Sequence, residues 1–118
     1  MSRQEFALRR SLGDYLEVVI PSGESFSEVV NLQPAAYGGF ILPAAVDAHV
    51  ISFAPQVLKN DPASDYELLR LDGSAYGCLP VADGAYALPG ALFGHRYFRF
   101  KLAGSAAAER VILVHLGN

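Results

Sequence analysis

Eleven glycines and seven prolines are spread through this chain as punctuation between short apolar runs. That spacing constrains the fold more than any other feature. It leaves many strand-length segments joined by turns, and no convincing long helix. The densest apolar stretch, Tyr37–Phe53 (YGGFILPAAVDAHVISF), already shows the pattern: two short runs, Phe40–Leu42 and His49–Phe53, meet at a proline bend. Before it, Leu16–Ile20 reads as a first strand and Pro21-Ser22-Gly23-Glu24 as a turn. Phe26–Leu32 reads as a second strand with Phe26, Val30 and Leu32 inward, and the pair has a hairpin-like layout.

Beyond Phe53, Ala54–Asp65 is rich in Pro, Asn, Asp and Ser and reads as a surface loop. Tyr66–Leu71 reads as a strand and Asp72-Gly73-Ser74 as a turn. Ala75–Val81 carries Gly77 and Pro80, the marks of an edge or bulged strand. Ala85–Leu88 is a short strand between two turn dipeptides, Asp83-Gly84 and Pro89-Gly90. Gly94–Leu102 alternates most cleanly, with Phe98, Phe100 and Leu102 on one side and Tyr97, Arg99 and Lys101 on the other. Ala103–Arg110 is expected to be a flexible small-residue loop before a strong last strand, Val111–Leu116. Eight or nine strands of this kind predict an all-β fold, an antiparallel β-sandwich in which two sheets share one core. A jelly-roll-like arrangement is preferred to an immunoglobulin-like one, which would carry a Cys/Trp core signature; the strand order is left open. One domain, residues 15–118, is expected at this length.

Residues 1–14 differ from the rest. Arg3, Arg9 and Arg10 place three of the nine basic residues here, and Phe6, Leu8 and Leu12 add apolar groups without strict helical or strand spacing. A solvated tail is one reading. The reading adopted is an N-terminal arm that docks on a neighbouring subunit, with these six residues as its partner-binding groups.

Little in the sequence points to chemistry. Charged residues make up 18% and the net charge is −3, so the basic footprint of a nucleic-acid binder is absent. Cys78 has no cysteine partner and no His or Lys nearby in sequence to hold a thiolate, so it reads as a structural thiol. No window approaches the ~18 apolar residues of a membrane span, and the N-terminus lacks the apolar core of a signal peptide. A soluble protein made in a cytoplasm, without membrane contact, is expected. His49, His95 and His115 lack metal-ligand spacing. Asp61, Asp65, Asp72 and Asp83 read as turn formers rather than a calcium site. Neither G-x-S-x-G nor a phosphate-binding glycine loop occurs. No catalytic residue, metal or cofactor is therefore nominated. Arg96, Arg99 and Lys101, interleaved with Tyr97, read as a solvated outer sheet face.

Several pieces occur in a telling order: Ser22-Gly23-Glu24-Ser25-Phe26-Ser27, then Gly39–Ala45 (GFILPAA), then the apolar strand ending in Phe53 and the loop before Tyr66. The strand Gly94–Lys101 (GHRYFRFK), a small-residue loop and a final apolar strand follow. Together they resemble a family of small structural proteins of tailed bacteriophages, over residues 16–118. Val46 stands where that family has an aromatic after Pro-Ala-Ala, and Asn60-Asp61-Pro62 replaces its Asp-Gly turn. The resemblance implies a non-enzymatic virion component, assembled in the host cytoplasm. It would decorate or cement the capsid through contacts with the major capsid protein or other virion proteins, and self-associate, for instance as a trimer. A tail, baseplate or fibre module is the nearest alternative. A carbohydrate-binding domain using Tyr37, Tyr66, Tyr76 or Tyr86 is the alternative from another class.

Overall fold

The computed structural model describes residues 15–61 and 65–118. Their strands are β1 (Tyr15–Ile20), β2 (Val30–Asn31), β3 (Tyr37–Ile41), β4 (Ile51–Gln56), β5 (Gly77–Cys78), β6 (Ala85–Ala87), β7 (Tyr97–Leu102) and β8 (Arg110–Gly117). A short 3₁₀ turn, Gly90–Gly94, precedes β7. The strands form two antiparallel four-stranded sheets, ordered β1-β8-β3-β6 and β2-β7-β4-β5. This order has a simple origin. Strand 1 pairs with 8, 2 with 7, 3 with 6 and 4 with 5, like the rungs of one long ribbon, and successive rungs alternate between the sheets. Rolled up in this way, the ribbon is a jelly roll.

Alternation places the core. Phe98 and Phe100 on β7 are fully buried and Leu102 nearly so, as the 94–102 pattern predicts. Their rings meet Phe53 of β4 and Phe40 of β3 in one aromatic cluster, with centroids 5.1–6.3 Å apart. Val18 and Ile20 of β1 and Ile112 and Val114 of β8 close the other side of the core.

Five expectations need correction, the first being the loop from Ala54, since Ala54–Gln56 continue β4 and are buried. β1 and β2 are not a hairpin, since they lie in opposite sheets. The chain crosses between sheets at the Pro21–Glu24 turn, where Gly23 takes a positive φ of 82° and its N–H donates to the Ala106 carbonyl at 2.8 Å. The inward set of the second segment is also shifted. Val30 and Leu32 are buried, but Phe26 is only half-buried, and Ser27 takes the interior position. A hydroxyl is tolerated there because Ser27 Oγ accepts from the Phe100 N–H at 2.9 Å and donates to the Glu28 carbonyl at 2.8 Å. Tyr66–Leu71 is not a regular strand. Asp65–Leu68 runs beside β4 with two backbone bonds among the described residues, Tyr66 N to Pro55 O and Leu68 N to Phe53 O, at 2.8 and 3.0 Å. Pro55 supplies no N–H on that side, so the ladder lacks a rung. Finally, the small-residue loop 103–109 is tied down rather than free. Ala106 is buried, and the Ala103, Ala106 and Ala107 N–H groups donate to Val50 O, Glu24 O and Asp47 Oδ1.

Asp47 locks this end of the sandwich. Its carboxylate accepts from Arg110 Nε and Nη2 at 3.1 and 3.2 Å and from the Ala107 N–H at 3.0 Å. It thereby fastens the β3–β4 crossing to the start of β8. The Arg110 hydrogen bonds, followed by that from Ala107, hold the Asp47 carboxyl below its usual pKa. Its stabilisation is therefore complete above the unfolded-state value of about 3.9, and is lost as pH falls through the lower folded value. Asp47→Asn should lower the melting temperature at pH 7. The gap from the parent should close below about pH 4, as read by thermal melts across a pH series.

Candidate interaction surface

The connection from β4 to β5 begins under firm control. Gln56 is 4% exposed; its Oε1 accepts from the Asn60 N–H at 3.1 Å and its Nε2 donates to the Asp61 carbonyl at 3.3 Å. Asn60 supplies the left-handed residue that the reversal needs, with φ 61°. The loop is folded back on the sheet, and it leaves Val57 and Leu58 exposed. Asp65 then pairs with the Arg99 guanidinium on β7. Arg99 also lies 4.1 Å from the Phe26 ring centroid, so this outer face is covered by the chain itself rather than simply solvated.

From Leu68 the chain leaves the sheet, makes an out-and-back hairpin, and returns to form β5. The hairpin is closed by the Leu69–Ala75 bridge, the bond from Arg70 N to Ser74 O at 2.8 Å, and that from Gly73 N to Arg70 O at 2.9 Å. Gly73 sits at φ 89°, a conformation that disfavours any side chain. Asp72 accepts from both the N–H and the hydroxyl of Ser74, at 2.9 and 2.7 Å, and these bonds lower its pKa. The Arg70 guanidinium stacks 4.4 Å from the Tyr76 ring centroid and donates to the Ala75 carbonyl at 2.6 Å. All of this bracing presents Leu71 at the tip, with a relative exposure of 110%.

The far side of β5 is braced in the same manner. The Tyr86 hydroxyl donates to the Leu79 carbonyl at 2.8 Å and accepts from the Val81 N–H at 3.0 Å. Pro80 turns inward toward Ile20, Leu42 and Ile112, while Leu79 and Val81 point outward, Leu79 with 74% exposure. Nine large apolar side chains are exposed among the described residues, and eight of them fall between Val50 and Val81. Only Tyr37 lies elsewhere. Single exposed leucines are ordinary, whereas so many within one stretch of chain make it the candidate contact region.

Other nominated residues are dispersed. Arg3, Phe6, Leu8, Arg9, Arg10 and Leu12 lie outside the described residues. The four tyrosines are not gathered into one platform. Tyr37 and Tyr86 belong to one sheet, and Tyr86 stacks on Phe40 at 5.1 Å. Tyr76 lies under Arg70, while Tyr66 edges a groove of about 210 Å³ with Pro55, Leu69 and His95. Among the described residues no group of three or more His, Cys, Asp or Glu side chains is placed to hold a metal ion. Cys78 is half-buried, and burial pushes its thiol pKa up, away from thiolate.

The sequence did not disclose this edge. Leu69 and Leu71 look like strand residues, and their exposure follows only from the hairpin leaving the sheet. The available signal was the Asp72-Gly73-Ser74 turn, which sits too close to Leu69 for a hairpin able to bury anything. Comparison with family models, with curated proteins and with solved structures finds no match to this chain.

Proposed function

We propose that this chain is a non-enzymatic structural protein of a tailed-bacteriophage virion. It decorates or cements the capsid by packing on the major capsid protein or on other virion proteins. The observation that carries this reading is the concentration of exposed apolar side chains on the braced β4–β5 edge. Rigid presentation lowers the entropy that association must otherwise spend on ordering. Burying a leucine fully is worth about 1.5–3 kcal/mol, so a few of these side chains suffice for a specific contact. The ordered series of turn and core motifs from Ser22 to the last strand supports the virion assignment. Self-association as a trimer or another closed cluster would place several copies of this edge on one shell. The groove beside Tyr66 is the one feature favouring glycan binding, and its ~210 Å³ falls short of the ~300–1,000 Å³ usual for ligand sites.

The test is purification of the particles that the encoding phage makes. The protein is expected to co-sediment with virions at a fixed copy number through a density gradient. Its absence from virions removes the proposal. A reconstruction of the same particles separates a head position from a tail, baseplate or fibre position.

A further inference from the structure

β6 forms one margin of the β1-β8-β3-β6 sheet, and it is open to pairing. Its inner side is taken by β3. Tyr86 stands opposite Phe40, the Leu42 N–H donates to Gly84 O at 2.9 Å, and the Leu88 N–H donates to Gly38 O at 2.9 Å. Antiparallel ladders alternate, so the N–H and C=O groups of Ala85 and Ala87 point away from β3. Both residues are exposed, and these main-chain groups have no partner among the described residues. The opposite margin differs. Val19 of β1 is covered there by Glu28, whose Oε1 accepts from the Val19 N–H at 3.1 Å and whose N–H donates to Val19 O at 3.0 Å. Ala85–Ala87 has no such cover, and none of the charge, proline or bulge that guards most edges.

We propose that β6 pairs antiparallel with β6 of a second copy of this chain, about a two-fold axis at Tyr86. Ala85 then faces Ala87 of the second copy, and every outward main-chain group on both edges finds a partner. The ends of the strand decide the occupant. Asp83, at φ 58°, gives its N–H to Pro43 O at 3.1 Å. Pro89 has no N–H, and its carbonyl accepts from the Leu92 N–H at 3.0 Å. In the two-fold register Asp83 falls opposite Pro89 of the second copy, so the ladder ends on both strands at the same points. An ordinary extended segment would carry its own ladder past those points and find no partner there. A second β6 stops where the first one stops.

The side chains agree. Ala85 and Ala87 are small, which lets two backbones approach. The Tyr86 hydroxyl holds Leu79 and Val81 beside the edge through their backbone groups, and both side chains are exposed. A two-fold axis at Tyr86 brings the same pair from the second copy toward them, and their shared burial favours association. Asp83 is the one charged residue from Leu79 to Ala87, and it lies at the end of the paired strands, so like charges do not meet at the axis. Closed two-fold pairing of this kind is isologous and does not propagate. This inference rests on the self-association in the proposed function and gives it a contact.

The experiment uses the purified full chain, with sedimentation equilibrium across a dilution series and amide hydrogen exchange read by NMR. The expected result is a two-chain mass at high concentration, with exchange at Ala85 and Ala87 slowing as the dimer forms. Ala87→Pro removes an N–H that bonds nothing among the described residues, and Tyr86 before it lies in a strand, so the fold should be kept. Each copy then loses one interchain donor, which should weaken pairing by about 10- to 100-fold. A one-chain mass at every concentration overturns the proposal. So does a dimer in which Ala85 and Ala87 exchange as fast as in the monomer, or one that Ala87→Pro forms at parental strength. If the proline variant does not fold, exchange at Ala85 and Ala87 in the parent decides the matter. No particle is involved, so failure here leaves the virion assignment untouched, and the protein's absence from virions leaves a measured dimer standing.

Discussion

Phe100→Ala is expected to destabilise the protein by about 3–5 kcal/mol, the range for emptying a buried aromatic site. Phe100 has no exposed surface and touches three other rings, those of Phe40, Phe53 and Phe98, drawn from both sheets. Its loss leaves a cavity between the sheets that main-chain hydrogen bonds on both sides prevent from collapsing. A domain of ordinary stability has roughly 5–15 kcal/mol in total, so the variant should be barely folded at 37 °C. Thermal melts should move down by on the order of 10–20 °C. Phe26→Ala is the matched control, because Phe26 lies half-buried on the outer face against Arg99. It should cost only about 1 kcal/mol. Equal losses from the two variants would contradict the inward and outward assignment of these side chains.

That contrast also shows what the sequence could reveal. The 94–102 segment alternates so strictly that Phe98, Phe100 and Leu102 could be placed in the core by period alone, and β7 puts them there. Phe26 was assigned to the core by the same logic, and the logic failed. Ser25 and Ser27 pair with β7 through Leu102 and Phe100, whereas Val30 pairs with Phe98, so one extra residue is accommodated between these contacts. The irregularity reverses which side chains face in, and a buried serine with both hydrogen bonds satisfied leaves no trace in an apolar pattern. Strand order was equally hidden, because it depends on which distant segments pair and not on the composition of any one of them. The missing N–H of Pro55 was visible in the sequence, but its effect on Tyr66–Leu71 depended on knowing that those residues lie beside it.

The exposed apolar stretch was the least legible part, because exposure is a property of the fold. Leu79 and Val81 flank Pro80 in a short run that looks like a half-buried edge strand. They become outward side chains only because the Tyr86 hydroxyl holds the two backbone groups on either side of Pro80. Asp47 carried no sequence signal either, yet it fastens the Pro43–Val50 crossing to β8.

The most direct measurement of the central claim is particle occupancy of Leu71→Asp. Leu71 touches nothing that the fold needs, so its replacement should change stability by no more than about 0.5 kcal/mol, and the melting temperature should match that of the parent. If the β4–β5 edge is the surface buried on the shell, the same change removes about 1.5–3 kcal/mol of apolar burial. It also forces a carboxylate out of water. Binding to particles should weaken by about 10- to 100-fold or more, with Leu71→Asp/Leu79→Asp weaker still. Binding of the folded double variant at parental affinity and parental copy number would contradict the account.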